Sequence, residues 1–280
     1  MSWRVGVVHT TKVTYRGTAR ASYNECRMTP PTMTRQTALA TSVRTGSNVP
    51  IWSYRDYFGT TVSSFDIQEP HEELLVKASA TVQTSAAPPA PVPLPWTELR
   101  ERAAESYVLE YLRETRRTTM DDDVVAAVAG RVAGADPAEA ASEIIKWLRE
   151  KVSYVAGSTG VQTSAQEAWD AGQGVCQDMA HISVALLRAA GLPARYVSGY
   201  LHPDPKAEPG AAVAGQSHAW AEYWTGEWVA CDPTNLAPVG ERHVVIGRGR
   251  DYADVSPLKG IYSGAPSVAM EVTVEVTRLA

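Results

Sequence analysis

Five prolines fall among the eleven residues Ala86 to Trp96, AAPPAPVPLPW. Such a run supplies few backbone donors to a ladder or a helix and favours an extended, semi-rigid path, so it divides the chain. Before it, residues 1–85 are rich in Val, Thr, Ser and Tyr, and WRVGVVHTTKVTY, TALATSVRT, IWSYRDYFGTTVSSFDI and ELLVKASATVQT alternate with the period of half-buried strands. Pro30, Pro31, Gly46 and Gly59 mark turns between them. The expectation is an N-terminal antiparallel β-sandwich domain over 1–85, a proline-rich linker over 86–96 and a second domain over 97–280.

Beyond the linker the period changes. TELRERAAESYVLEYLRET predicts a helix with Thr97 as N-cap, and DDDVVAAVAGRVAG predicts another whose acidic start suits the helix dipole. In DPAEAASEIIKWLREKVSY, Asp136 is placed as N-cap and Pro137 at the first helical position. A short helix at SAQEAWDAG leads to GQGVCQDMAHISVALL, which reads as a buried helix beginning within a residue or two of Cys176 and stopping at Gly191 and Pro193. Strand patterns follow: ARYVSGYL, SHAWAEYW, EWVACDP, ERHVVIG and SVAMEVTVEVTRL. A helical half feeding an antiparallel sheet is an α+β arrangement.

Composition narrows the function classes. A net charge of -5, with no run of Lys or Arg, leaves no electrostatic footprint for nucleic acid or a membrane surface. The first residues lack the apolar core of a signal peptide, and no stretch approaches the eighteen or so apolar residues of a membrane span, so a cytoplasmic address is expected. Cys26, Cys176 and Cys231 form no C-x-x-C pair, which points away from a zinc knuckle or a disulfide framework. The expected partner is a protein or peptide substrate. No feature specifies an oligomeric state.

Cys176 carries the chemistry. A thiol at a helix start meets the positive end of the dipole and unsatisfied N–H groups, which favour the nucleophilic thiolate and can face an oxyanion. A nucleophile needs a base and the base an orienting partner. His218 opens one strand of a hairpin that turns at Thr225 and Gly226 and returns to Asp232. A register in which paired numbers sum to about 450 brings Asp232 alongside His218, the spacing of a Cys, His, Asp triad.

GVCQDMAH, GLPARYVSGY, SHAWAEYW and DPTN, in that order, with the later GRGRDYADVSPLKGIYSG, resemble the bacterial transglutaminase-like proteins of the papain-fold superfamily. Residues 1–85 are similar to that family's N-terminal domain. The resemblance implies a papain-like core with Cys176 as nucleophile, His218 as base and Asp232 as orienter, and no metal or organic cofactor. It also implies a cysteine protease or a transglutaminase. Hydrolysis of peptide or isopeptide bonds is the favoured expectation, with a protein-glutamine transamidase or a catalytically silent scaffold as alternatives. The Cys176 N–H is the natural first oxyanion donor. Gln173, Trp169 and Gln177 are the candidates for the second.

Other residues receive quieter roles. Asp178 and His181, three apart on the helix, are expected to form a structural ion pair rather than a metal site. Cys231 should be packed on the far side of its strand and Cys26 inert in the first sheet. The segment DPKAEPGAAVAGQ, just before Ser217 and His218, is expected to flank or cover the cleft and help select substrate.

Overall fold

The computed structural model describes residues 2–210 and 212–280. Strand β1, Ser2–Cys26, is the spine of the first half. Val5 and Val7 are buried along its first stretch while their neighbours face outward, the alternation that defines a strand with one covered face. Four strands follow: β2 (Gln36–Thr45), β3 (Trp52–Arg55), β4 (Thr61–Ile67) and β5 (His71–Ser85). Residues 2–14 of β1 pair with β5, and residues 22–26 pair with β4. A register shift between Thr14 and Ala19 separates the two halves.

The helical half contains α1 (Trp96–Ala104), a 3-10 segment (Tyr107–Leu112), α2 (Asp122–Arg131) and α3 (Pro137–Lys151). After the two-residue strand β6 (Ser153–Tyr154) come α4 (Ala165–Ala171), β7 (Gln173–Gly174) and α5 (Cys176–Ala189). The Asp136 carboxylate accepts from the N–H groups of Ala138 and Glu139 at 2.8 and 2.9 Å, and Glu139 reaches back to the Asp136 N–H at 3.1 Å. This reciprocal box fixes the start of α3. The single helix predicted over 97–115 is two pieces. It begins one residue early, at Trp96 after Pro95, and breaks after Ala104. Ser106 then caps the 3-10 turn, and the buried Arg188 guanidinium takes the Tyr111 carbonyl at 2.8 Å, a contact that sequence periodicity does not reveal.

Helix α5 is the centre of this half. Met179, Ile182, Leu186 and Leu187 are buried against Leu99, Val128, Ile144, Leu148 and Trp169 of the other four helices. The sheet half continues with β8 (Ala194–Leu201), β9 (Ala212–Trp224), β10 (Trp228–Cys231) and β11 (His243–Gly249). Helix α6 (Tyr252–Val255) precedes β12 (Leu258–Gly264) and β13 (Ser267–Arg278).

The sequence division at the proline run counts β12 and β13 with the second domain, but both pair with β1. β13 lies against residues 5–15 of β1 and also joins β9 through Val274 to Thr277. The result is a continuous 11-stranded sheet in the order β11-β8-β9-β13-β1-β4-β3, with β2, β5, β10 and β12 attached beside that path. Strand alternation shows that a segment wants a sheet and says nothing about which partner it takes; here Val274 and Val276 are buried at the seam. The proline run is also tied down: the Leu94 N–H donates to the Thr225 carbonyl at 2.9 Å, at the β9–β10 turn. No helix among the described residues is long and apolar enough to cross a membrane.

Because Leu187 is fully buried at the centre of the helical core, Leu187→Ala is expected to lower unfolding free energy by about 2 to 5 kcal/mol. Urea denaturation followed by circular dichroism measures it.

Candidate active site

The motif around Cys176 is a machined helix start. Gly172 closes α4 with φ 64°, a left-handed conformation suited to glycine. Two residues later, a Cβ on Gly174 would sit 2.8 Å from the Asp178 Cβ. That approach lets the Asp178 carboxylate accept the Val175 N–H at 2.8 Å and the Thr159 hydroxyl. Cys176 is then the first residue of α5. Burial raises the Asp178 carboxyl pKa against these hydrogen bonds.

The expected ion pair between Asp178 and His181 is not formed. Capping draws Asp178 back over its own helix terminus, while His181 Nε2 accepts the Tyr252 N–H at 3.1 Å and its ring lies 4.9 Å from that of Tyr196. Burial lowers His181 to about 3, so it is neutral.

His218 and Asp232 do meet, by a slightly different route from the one the hairpin suggested. The ladder pairs Trp224 with Trp228 and Ala221 with Cys231, a register two residues off the expected one. Asp232 therefore follows the ladder at the level of Trp220, with His218 two residues along on the same face. The DPTN turn closes the gap: the N–H groups of Thr234 and Asn235 donate to Asp232 Oδ1 at 3.0 and 3.2 Å, holding the carboxylate over the strand. His218 Nε2 then donates to Oδ2 at 2.8 Å.

Two further donors, not foreseen from the sequence, complete that oxygen. Asn235 Nδ2 donates at 2.8 Å and His243 Nε2 at 3.3 Å. The His243 tautomer follows from its other side, where Nδ1 accepts the Gly240 N–H at 3.2 Å and so leaves the proton on Nε2. Asn235 stands in the DPTN block, so its nearness to Asp232 had a local signal. His243 begins β11 and arrives only through pairing of β11 with β8, which no local pattern shows.

The electrostatics follow from this arrangement. Burial penalises the Asp232 carboxylate, yet hydrogen bonds from His218, His243 and Asn235 hold its pKa far below the usual range. Burial also opposes charge on His218, but the bond to Asp232 and the neighbouring Cys176 sulfur raise it to about 9. Burial keeps His243 below its ordinary value. Among the described residues, His218, Asp232 and His243 are the one group whose ligand atoms lie close enough to hold a metal, within 4.8 Å. Those atoms already satisfy one another.

Cys176 and His218 line one cavity of about 210 Å³, together with Gln177 and residues from β1 and β13. Of the side chains considered for the oxyanion, Gln177 alone lines it. Gln173 is exposed outside it, and Trp169 is buried in the helical core, 4.8 Å edge-on from the Trp147 ring. The segment expected to cover the cleft turns elsewhere, with the Ala207 carbonyl on Arg278 Nη1 and the Gly210 N–H on the Arg278 carbonyl. Cys231 packs against the helical core and Cys26 within the first sheet, where burial pushes the Cys26 thiol up to about 11.

Comparison with known families places this geometry. Residues 126–233, from α2 to the residue after Asp232, match the transglutaminase-like superfamily core, and residues 5–83 match the bacterial transglutaminase-like N-terminal region. The chain belongs to the transglutaminase-like superfamily. An uncharacterized protein of Mycobacterium leprae is 44% identical over 279 residues, covering 99% of this chain and 100% of that protein. A protein-glutamine gamma-glutamyltransferase of Pseudomonas aeruginosa is 34% identical over 120 residues, 39% of this chain and 18% of that enzyme. In three dimensions, a candidate cysteine protease from Cytophaga hutchinsonii shares the fold with a TM-score of 0.75 at 22% identity, over 100% of this chain and 93% of that one. The transglutaminase-like N-terminal region ends before the proline run, and the core model stops short of His243.

The raised pKa of His218 fixes a sign. Its contribution to stability is fully present below 6.5 and is lost as pH rises through about 9, whereas that of the depressed Asp232 is lost only as pH falls well into acid. In Asp232→Asn the His218 titration is expected to fall from about 9, since the anionic partner is gone. Imidazole NMR against pH measures the shift.

Proposed function

We propose that this chain is a thiol-dependent acyl-transfer enzyme acting on peptide or isopeptide amides. In this reading Cys176 is the nucleophile, His218 the proton carrier and Asp232 the orienter. The observation that carries it is a cavity shared by the Cys176 thiol and a His218 imidazole whose far nitrogen is held by a buried carboxylate at 2.8 Å. With Nε2 committed to Asp232, Nδ1 is the nitrogen left for the thiol.

The steps follow from that geometry. His218 takes the thiol proton, and the sulfur adds to the amide carbonyl carbon. The carbonyl oxygen gains negative charge, which N–H groups at the α5 terminus, with Gln177 as a side-chain candidate, are placed to stabilise. Collapse breaks the C–N bond, the departing amine takes the proton from His218, and an acyl thioester remains on Cys176. Water, deprotonated by His218, then releases the acid. Every role in this scheme falls to the chain's own side chains and backbone N–H groups, so the reaction as proposed calls for no metal or organic cofactor.

Hydrolysis is favoured because the cavity is open to water at its β13 rim, where Met270 is 61% exposed. One observation supports an amine as acceptor instead: the relative from Pseudomonas aeruginosa is a protein-glutamine gamma-glutamyltransferase. The silent-scaffold reading fits less well with a fully satisfied Asp232 and an imidazole raised to about 9. A cytoplasmic address remains part of the proposal, checked by cell fractionation.

Cys176→Ala and His218→Ala are each expected to lower amide turnover at least about 10³-fold. In the wild type, kcat/KM should decline as pH rises through about 9, where His218 loses the proton the leaving amine requires. Peptide libraries read by mass spectrometry, with and without added primary amine, separate the products: a carboxylic acid supports hydrolysis and a substituted amide supports transamidation. Undiminished turnover in Cys176→Ala would sink the reading.

A further inference from the structure

The cavity beside Cys176 is built partly from residues outside the transglutaminase-like core. His9 and Thr11 project into its wall from β1, and Leu258, Met270 and Val272 contribute from β12 and β13. Thr11 pairs with Val272 across the β1–β13 ladder, so this wall is one patch of the sheet. Among the described residues, no Asp, Glu, Lys or Arg lines the cavity. Its surface offers the Cys176 thiol, hydroxyls, two imidazoles, the Gln177 carboxamide and apolar groups.

His9 and Thr11 are each only 2% exposed, and they belong to a buried chain of hydrogen bonds. The Tyr200 hydroxyl lies 2.8 Å from His9 Nδ1, and the Thr11 hydroxyl lies 3.2 Å from His9 Nε2. Burial lowers His9 to about 4, so the ring is neutral and carries one N–H. Either tautomer leaves one hydroxyl proton without a partner, and the position of that hydroxyl selects between them. If the proton were on Nδ1, it would point at the Tyr200 oxygen, and the buried Tyr200 O–H would have no acceptor among the described residues. With the proton on Nε2, Tyr200 donates to Nδ1 and His9 donates to Thr11 Oγ1, and the one unpartnered proton is instead that of Thr11, which lines the cavity where Tyr200 does not. The Thr11 hydroxyl has no other partner among the described residues. Its own proton is therefore free to point into the cavity.

We propose that Thr11, held as a hydrogen-bond donor by the Tyr200–His9 chain, recognises an amide carbonyl oxygen on the acyl donor, making the first strand part of the specificity pocket. The carbon skeleton of that group lies against Met270, Val272 and Leu258. The ligand class is an uncharged, amide-bearing segment of a peptide, and His9 is a positioning residue that acts through Thr11. This deepens the acyl-transfer reading and rests on it for the role of the occupant.

The test uses two neutral iodoacetamides of equal length on the full chain. One is N-(2-carbamoylethyl)iodoacetamide, which ends in a carboxamide; the other, N-isopentyl iodoacetamide, ends in an isopropyl group of similar shape. Labelling rates at Cys176 are followed by peptide mass mapping in wild type, Thr11→Val and Thr11→Ser. In the wild type the carboxamide reagent should react several-fold to about tenfold faster, the range of one neutral hydrogen bond. That preference should collapse to near unity in Thr11→Val and survive in Thr11→Ser. An equal preference in wild type and Thr11→Val, or no preference in wild type, overturns the proposal. Because the reading is a ratio on one protein, a general loss of thiol reactivity cancels. Failure of the nucleophile reading shows separately, as absolute rates that do not change in His218→Ala.

Discussion

A carboxylate with no exposed surface sits at the centre of the candidate site, and its burial is tolerable only because five donors converge on it. A buried charge left unpaired is strongly destabilising, so the elements that supply those donors are bound to one geometry. His218 comes from β9, two backbone N–H groups and the Asn235 amide from the turn after β10, and His243 from the start of β11. The edge-on ring of Trp220, 5.3 Å from His243, fills the space behind them. Displacing any of these strands would strand a negative charge in the interior. The same constraint that holds the sheet together also fixes the imidazole that faces Cys176.

Glycine makes two of the close approaches possible. At Gly174 the backbone comes near enough to Asp178 for the helix carrying the thiol to be capped from within. At Gly199, across the ladder from His218, a Cβ would meet the Val244 carbonyl at 2.2 Å and the Trp220 ring at 2.6 Å. One glycine shapes the Cys176 side of the site and the other shapes the His218 side. Neither touches the cavity itself.

What was legible in the sequence was local. Asp136 and Pro137 announced the start of α3, Gly172 and Gly174 announced the start of α5, and alternation announced the strands. The nearness of His218 and Asp232 could be read because a hairpin links them over few residues, although the register was two residues off and the DPTN turn made up the difference. What was not legible depended on distant pairing. His243 reaches Asp232 through β11 and β8. The helix expected over 97–115 breaks after Ala104, and the 3-10 turn that follows is held by Arg188, far along the chain, through the Tyr111 carbonyl. β13 carried a clear strand pattern and β12 went unread as a strand, and for both the partner lay some 250 residues away in β1.

That last pairing bears on the order of events during synthesis. The ribosome releases β1 well before β13, with the thiol, the imidazole and Asp232 emerging in between. Contacts of such long sequence separation form late, because chain closure must be met before the ladder repays it. Until β13 emerges, one edge of the first dozen residues of β1 lacks its partner and Cys176 has no finished wall opposite it. A nascent chain therefore holds all three polar groups of the site without the enclosure around them, and the cavity comes into being as one of the final acts of folding.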